Sequence, residues 1–153
     1  MSCCYPALLF ALAVGAVAGA AEPIKFDLAD FKLTPAPKGK DDLLKYENDV
    51  ISFYANGTAA AKLTVPSDGD YVIVVEASCN AAQKENAKFT LNVGDKAVKE
   101  KFELTGEDQK EYKFDAKLTK GETTLSIVYT NDVYKENEYD RNLFVHAVRV
   151  EKK

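Results

Sequence analysis

Apolar and polar residues alternate along most of the chain that follows residue 21. The alternation is clearest over residues 88–93 and 112–118, and it also places Val98, Phe102 and Leu104 on one side of a further segment. A period of two is typical of β-strands that turn one face to the core and the other to water. These segments are therefore predicted to be half-buried strands.

Two other runs, residues 71–75 and 143–148, are almost continuously apolar and rich in β-branched side chains. A strand of this kind is expected to be covered on both faces, because neither face offers a row of polar residues to solvent. We expect these two runs to form central strands of their sheets.

Turn-forming residues separate the runs at short intervals, and no stretch of helical periodicity lies between them. They occur at Asn56-Gly57, 66–70, Gly94-Asp95, 106–108 and Lys120-Gly121. Short strands at this spacing predict an all-β protein built as an antiparallel β-sandwich. The prediction includes a first strand over residues 24–33 and a pairing of residues 143–150 with residues 123–129.

The first 21 residues differ in character, because every one of the 20 basic and 24 acidic side chains lies after Ala21. They hold an apolar run over residues 7–18 and the small-x-small pattern Ala18-Gly19-Ala20, which suits a signal peptidase. The run is shorter than the ~20 residues that span a bilayer as a helix. Residues 1–21 are predicted to be a signal peptide, with a retained N-terminal anchor as the alternative. The mature protein is then expected to be secreted, extracellular or periplasmic, without membrane contact after cleavage.

Residues 22–153 have the size of one domain. The net charge is −4, and lysine and glutamate are interleaved, so no basic face offers itself to a phosphate backbone and nucleic acid is not expected as a partner. Cys3 and Cys4 leave with the signal peptide, and Cys79 remains as a lone thiol. The mature domain therefore has no intrachain disulfide, and its stability must come from its core or from a bound metal.

Two segments break the strand rhythm, a polar loop over residues 78–87 that carries Glu85 and a longer loop over residues 130–142. Four carboxylates lie in the longer loop, at Asp132, Glu136, Glu138 and Asp140. Oxygen donors this close together suit Ca²⁺, although their spacing does not fit an EF-hand. A solvated acidic loop is the alternative, and composition alone leaves both interpretations open.

The order of residues adds a resemblance. The segment Asn131-Asp132-Val133-Tyr134, followed after an acidic spacer by residues 140–145 (DRNLFV), resembles the calcium-dependent xylan-binding carbohydrate-binding modules. The similarity is weaker upstream, over residues 52–73 and 85–95, and covers roughly residues 50–150 in all. The chain departs from the family pattern where Lys84 and Asn86 flank Glu85, and where Phe144 replaces a tyrosine.

The resemblance implies a metal site and a sugar site in one place. The implied Ca²⁺ ligands are the carboxylates of Asp132, Asp140 and Glu85 and the backbone carbonyl of Tyr139. The ion would coordinate two neighbouring sugar hydroxyls. The residues implied to complete the ligand-binding site are Asn131, Tyr134, Arg141 and Asn142. The rings of Tyr134 and of the proposed ligand Tyr139 would line the sugar cleft. Arg141 and Asn142 would fix the loop by hydrogen bonding, with an ordinary turn residue as the alternative for Asn142.

Signatures of catalysis are absent from the sequence. His146 is the sole histidine and is expected at the core edge or the surface, and no nucleophile elbow, P-loop or dinucleotide motif occurs. We therefore predict a secreted, non-catalytic, single-domain β-sandwich of jelly-roll type that binds a polysaccharide or other glycan through Ca²⁺ and acts alone or beside a separate glycan-active enzyme. The alternative is a secreted structural or protein-interaction sandwich in which Ca²⁺ only stabilises a loop. An enzyme ranks third.

Overall fold

The computed structural model describes residues 21–39 and 42–153. The signal peptide predicted over residues 1–21 lies outside the described residues apart from Ala21, so it stays a prediction. Among the described residues, no helix combines the length and the apolar character needed to cross a membrane.

Twelve strands and one short 3₁₀ helix (Leu28–Asp30) account for the regular structure of the described residues. The strands are β1 Ile24–Lys25, β2 Lys32–Thr34, β3 Leu44–Glu47, β4 Val50–Phe53, β5 Gly57–Val65, β6 Gly69–Asn80, β7 Lys88–Val93, β8 Lys96–Glu103, β9 Lys110–Leu118, β10 Gly121–Tyr129, β11 Val133–Lys135 and β12 Tyr139–Lys152.

The strands form two antiparallel sheets. The larger sheet has seven strands in the order β3-β4-β12-β6-β9, with β1 and β11 also paired to β12, and the smaller has the order β2-β5-β10-β7-β8. The predicted all-β sandwich of jelly-roll type is confirmed.

The core lies between the sheets and is filled by the inward-facing residues of both. In β9, Tyr112, Phe114 and Leu118 are buried while the lysines between them are exposed. Phe89 of β7 lies in the same layer, 5.9 Å from the Phe114 ring, and so joins the two sheets. Burial of each fully buried side chain of this size contributes roughly 1.5–3 kcal/mol to the stability of the fold. The apolar residues of the alternating pattern are therefore the main source of stability.

The two continuously apolar runs are central strands, as predicted. They belong to β6 and β12, which pair with each other over most of their length and lie inside the larger sheet. Val75 faces Val148 across this pair, and both are buried. Because β12 is a central strand, the residues at its start are held in place by the middle of the larger sheet.

The predicted pairing of residues 143–150 with residues 123–129 is wrong. β10 lies between β5 and β7 in the smaller sheet, whereas β12 belongs to the larger sheet. Leu125 and Leu143 are both fully buried, but they approach the core from opposite sides. The chain crosses from one sheet to the other after Tyr129 instead of turning back beside the same strand.

The single first strand predicted over residues 24–33 is also wrong. β1 pairs with β12 in the larger sheet and β2 pairs with β5 in the smaller one. The 3₁₀ helix makes the transition between them, and its cap forms where the Ala29 amide donates to the Asp27 carboxylate at 2.9 Å. An Asx cap of this kind ends extended structure locally, which the apolar pattern did not reveal.

Candidate metal and glycan site

The segment predicted as a long loop over residues 130–142 folds mostly into a hairpin. β11 pairs with the start of β12, and Tyr134 lies opposite Asp140. The tip closes with a hydrogen bond from the Glu138 amide to the Lys135 carbonyl (3.0 Å), and Asn137 takes a left-handed φ of 58°. An asparagine tolerates this conformation, which suits it to the turn.

The hairpin register gathers three polar side chains on one face. Directly paired residues share a face, and so do residues two apart on a strand. Tyr134 and Asp140 are paired, and Asn142 follows Asp140 by two positions on β12. Asp132 lies just before β11 and lines the same cleft as Tyr134 and Asp140. Asn142 is therefore a strand residue, buried and paired with Asn80 of β6, and the turn interpretation of it is wrong.

Two oxygen atoms in this group lack a partner. Among the described residues, Asp132 Oδ1 and Asn142 Oδ1 are buried side-chain atoms without a hydrogen bond. The side-chain NH₂ group of Asn142 donates to Asp140 Oδ2 at 2.9 Å and to Asn80 Oδ1 at 3.3 Å, so this amide is held beside Asp140. A buried polar atom without a partner costs about 1–3 kcal/mol. A cation beside the two aspartates would satisfy Asp132 Oδ1.

The donor set fits a hard cation. Within residues 21–39 and 42–153, no cluster of three or more Asp, Glu, His or Cys side chains suited to a metal occurs. The Asn142 amide lies beside Asp140, and Ca²⁺ accepts amide and backbone oxygens together with carboxylates.

The electrostatic environment of Asp132 also favours a bound cation. Burial raises the pKa of the Asp132 carboxyl, and the neighbouring Asp140 charge raises it further. Arg141 and the Val133 amide act in the opposite direction but do not cancel the effect. A cation between the two carboxylates would relieve both the repulsion and the loss of hydration.

Arg141 connects the loops around the site from within the protein. The side chain is only 4% exposed, and its guanidinium donates to the carbonyls of Glu85 (3.2 Å), Asn131 (2.6 Å) and Ala82. Its own carbonyl accepts the Tyr129 hydroxyl at 2.8 Å. Arg141 therefore binds the protein's own backbone and positions the site.

Asn131 has a similar role. Its side-chain oxygen accepts the Lys88 amide at 2.7 Å, and its NH₂ group donates to the Asn86 carbonyl at 2.9 Å. The next residue is fixed as well, since the Asp132 amide donates to Asn56 Oδ1 at 2.9 Å. Three connections thus meet just before β11.

Glu85 and Tyr139 lie at the edge of this arrangement. The Glu85 carboxylate is half exposed and lies 3.2 Å from Lys88 Nζ and 3.6 Å from Arg141 Nη2, so it is paired with cations rather than clustered with the two aspartates. Tyr139 is the first residue of β12, pairs with Lys135 and directly precedes Asp140, so its backbone carbonyl is next to that aspartate in the chain. Both remain predicted ligands.

An open cleft lies in front of the aspartates. It has a volume of about 570 Å³ and is lined by Leu43, Tyr54, Ala55, Asp132, Tyr134 and Asp140. Tyr134 is 64% exposed, whereas Tyr54 packs edge-on against Phe144 at 5.8 Å between ring centroids. Two aromatic rings beside two acids form a cleft suited to a ligand with an apolar face and polar edges.

Sequence reasoning did not find Leu43 and Tyr54. They come from the β3–β4 region, far along the chain from the acidic motif, and pairing of β4 with β12 brings them to the cleft. The available signal was the turn Asn56-Gly57, which immediately follows Tyr54 and Ala55.

His146 lies away from the cleft, on a strand of the larger sheet. It is partly buried, as a core-edge histidine was expected to be, and its Nε2 lies 2.8 Å from Ser78 Oγ. Burial lowers the pKa of His146, with Glu76 acting against that change. The contact between His146 and Ser78 is a cross-strand hydrogen bond between β12 and β6.

Solved structures of similar fold are carbohydrate-binding modules. A family 35 module from Clostridium thermocellum has a TM-score of 0.60 at 14% identity, with 87% of this chain and 100% of that chain covered. The C-terminal CBM6 of the laminarinase LamC from Zobellia galactanivorans has 0.62 at 8%, covering 86% and 100%. A CBM36 domain of a xylanase from the hindgut metagenome of Trinervitermes trinervoides has 0.59 at 13%, covering 86% and 97%. At these identities the likeness concerns the fold.

The sequence itself identifies the family. No curated protein sequence matches the chain significantly. A family model, CBM60, described as a Ca-dependent xylan-binding carbohydrate-binding module, matches residues 72–153, which include both aspartates, the hairpin and all of β12. The chain therefore belongs to the Ca-dependent xylan-binding carbohydrate-binding module family.

Proposed function

We propose that this protein is a secreted, non-catalytic module that binds a xylan-like polysaccharide through a calcium ion held at Asp132 and Asp140. The observation that carries the proposal is the buried, unpartnered Asp132 Oδ1 in a cleft that Asp140 also lines. Asn142, whose Oδ1 is likewise buried without a partner, lies beside Asp140. The description of the family as calcium-dependent supports the identity of the ion.

The metal ligands would be the two carboxylates, the amide oxygen of Asn142 and the carbonyl of Tyr139. Glu85 could join them only by leaving its ion pairs with Lys88 and Arg141. When bound, Ca²⁺ supplies open coordination positions that two neighbouring sugar hydroxyls can fill.

The remaining residues of the cleft act on the sugar or on the loops. The rings of Tyr134 and Tyr54 offer apolar surfaces to the C–H face of a pyranose. Arg141 and Asn131 hold the backbone on both sides through hydrogen bonds within the protein, so that the loops that carry the two aspartates are fixed independently of a ligand. Preorganisation of this kind lowers the cost of binding.

Calorimetry tests the proposal directly. Calcium should bind to the protein, and a xylo-oligosaccharide should bind only when calcium is present and not in excess chelator. Bound calcium should also raise the melting temperature, since a ligand at one hundred times its Kd adds about 2.7 kcal/mol to stability. If calcium raises the melting temperature but no glycan in a broad panel binds, the module is a structural or protein-interaction sandwich instead.

The proposed setting is outside the cell, alone or beside a glycan-active enzyme. Support for such a partnership is that a protein of similar fold over part of its length, from Podospora anserina, is a GH26-CBM35 β-(1,4)-mannanase. N-terminal sequencing of the protein recovered from the culture medium or periplasm tests cleavage near Ala21. A purified protein that hydrolyses the glycan it binds would contradict the non-catalytic part.

A further inference from the structure

A second hollow continues the cleft on the far side of Leu43. It has a volume of about 270 Å³, and Leu43 and Ala55 line both spaces. Leu43 is 60% exposed and Tyr134 64%. Of the three large hydrophobic side chains exposed among the described residues, two therefore lie along one cleft, and contiguous exposed apolar surface marks binding sites more reliably than a single exposed leucine.

The residues that form the floor of this hollow are mostly apolar. Pro35, Ala36 and Pro37, all exposed in the connection between β2 and β3, line it together with buried Leu44. The charged residues that also line it are Lys38 and Asp42. Apolar walls with a few polar groups at the edges are typical of small-ligand sites.

The hollow is also tied to the acidic cleft. Asn56 lines it, and Asn56 Oδ1 accepts the Asp132 amide at 2.9 Å. One side chain therefore borders the apolar hollow and fixes a residue of the metal site.

We propose that the hollow binds the next sugar units of the same polysaccharide strand whose hydroxyls lie at Asp132 and Asp140. The inference rests on the proposed function and adds the length of chain that is recognised. A pyranose has an apolar C–H face and a rim of hydroxyls, which matches an apolar floor beside Asn56. Because two subsites on one ligand act together, affinity should rise with the length of the oligosaccharide.

The test compares a short and a long ligand on the full chain with calcium present. In calorimetry, xylohexaose should bind at least about tenfold more tightly than xylobiose, which exceeds the few-fold gain from additional equivalent positions on a longer chain. Ala36→Glu places a charged side chain over the apolar floor. It should remove most of the advantage of xylohexaose and leave the affinities for xylobiose and for calcium unchanged.

Two matched variants control for the substitution itself. Ala36→Ser adds little volume and should behave as the unmodified protein. Ala97→Glu makes the charged change at an exposed alanine of β8, at the opposite end of the sandwich, and should alter no affinity.

The outcomes separate this inference from the proposed function. Equal affinities for xylobiose and xylohexaose, or full xylohexaose binding by Ala36→Glu, would overturn the second subsite and leave the calcium-dependent module intact. Failure of both sugars to bind in calcium would overturn the proposed function and the inference with it. Self-association that Ala36→Glu abolishes would show that a second copy of the chain occupies the hollow instead.

Discussion

The two ends of the sandwich both carry a charged hollow, and they differ in how the charges are held. The cleft at the hairpin end has a volume of about 570 Å³, and a hollow of about 480 Å³ at the opposite end lies beside Asp115, Lys117 and Glu122. At the hairpin end, one acidic oxygen (Asp132 Oδ1) and one amide oxygen (Asn142 Oδ1) are buried without a partner, close in sequence to the buried Arg141.

At the opposite end the charges pair with one another in solvent. Lys117 Nζ lies 3.5 Å from Asp70, and Glu122 pairs with Lys62. Side chains that are more than half exposed interact weakly in this way. Size and charge alone therefore do not distinguish a binding site from an ordinary surface, whereas an unsatisfied buried oxygen does.

The largest expected effect is at Asp140. Asp140→Ala should weaken calcium binding by more than about hundredfold and abolish glycan binding with it, because it removes a carboxylate at the head of the cleft. Asp140→Asn keeps an oxygen without the charge and should lower calcium affinity less, with the fold intact.

Asp115→Ala is the matched control for the opposite end. Its carboxylate is 78% exposed and 2.7 Å from Lys153 Nζ, and its removal should leave both affinities unchanged. Calorimetry with calcium first and a xylo-oligosaccharide second checks all three variants. Glycan binding by Asp140→Ala in excess chelator would show that the metal plays no part.

The second effect concerns the connection between the loops. Arg141→Lys keeps a positive charge but loses the planar fork that reaches three carbonyls, and it should cost about 2–4 kcal/mol of unfolding free energy. Arg149→Lys is the same change at a more exposed arginine paired with Glu111 and Glu151, and it should cost under about 1 kcal/mol.

Urea unfolding of both arginine variants, with and without calcium, provides the measurement. If the two lysine variants are equally stable, Arg141 does not hold the hairpin end together.

Whether a feature of the two ends could be predicted from the sequence depends on how far apart along the chain the interacting residues lie. Alternation within a strand is local, so the half-buried strands over residues 88–93 and 112–118 and the central runs over 71–75 and 143–148 were predicted correctly. The choice of sheet is not local. Nothing in residues 123–129 indicates that β10 pairs with β5 and β7 rather than with β12.

The site was predicted as a set of residues and not as a surface. The motif around Asp132 and Asp140 identified the family and the acidic centre of the site, because the two aspartates lie within a dozen residues of each other. Leu43 and Tyr54 reach the cleft because β3 pairs with β4 and β4 pairs with β12 in the larger sheet. Because that pairing depends on tertiary contacts, the aromatic and apolar wall could not be read from the motif.

A smaller effect is expected at the cleft wall. Tyr134→Ala should weaken glycan binding by about tenfold through the loss of an exposed ring and leave calcium affinity unchanged. Tyr46→Ala removes an exposed tyrosine that lines a different hollow, beside Phe31 and Glu47, and should change neither affinity. A loss of calcium binding in Tyr134→Ala would mean that the ring supports the metal site and not the sugar.

The smallest effect is expected at the opposite end, where the comparison can be broken most simply. Lys117 is 90% exposed and its partner Asp70 is 61% exposed, so their attraction is screened by water. Lys117→Ala should therefore change the free energy of unfolding by less than about 0.5 kcal/mol and leave calcium and glycan affinities as they are. Urea unfolding at low and high salt, followed by calorimetry, measures each quantity. A variant that loses glycan binding would make the opposite end a second recognition surface, and the buried oxygens at Asp132 and Asn142 would no longer be what separates a site from a surface.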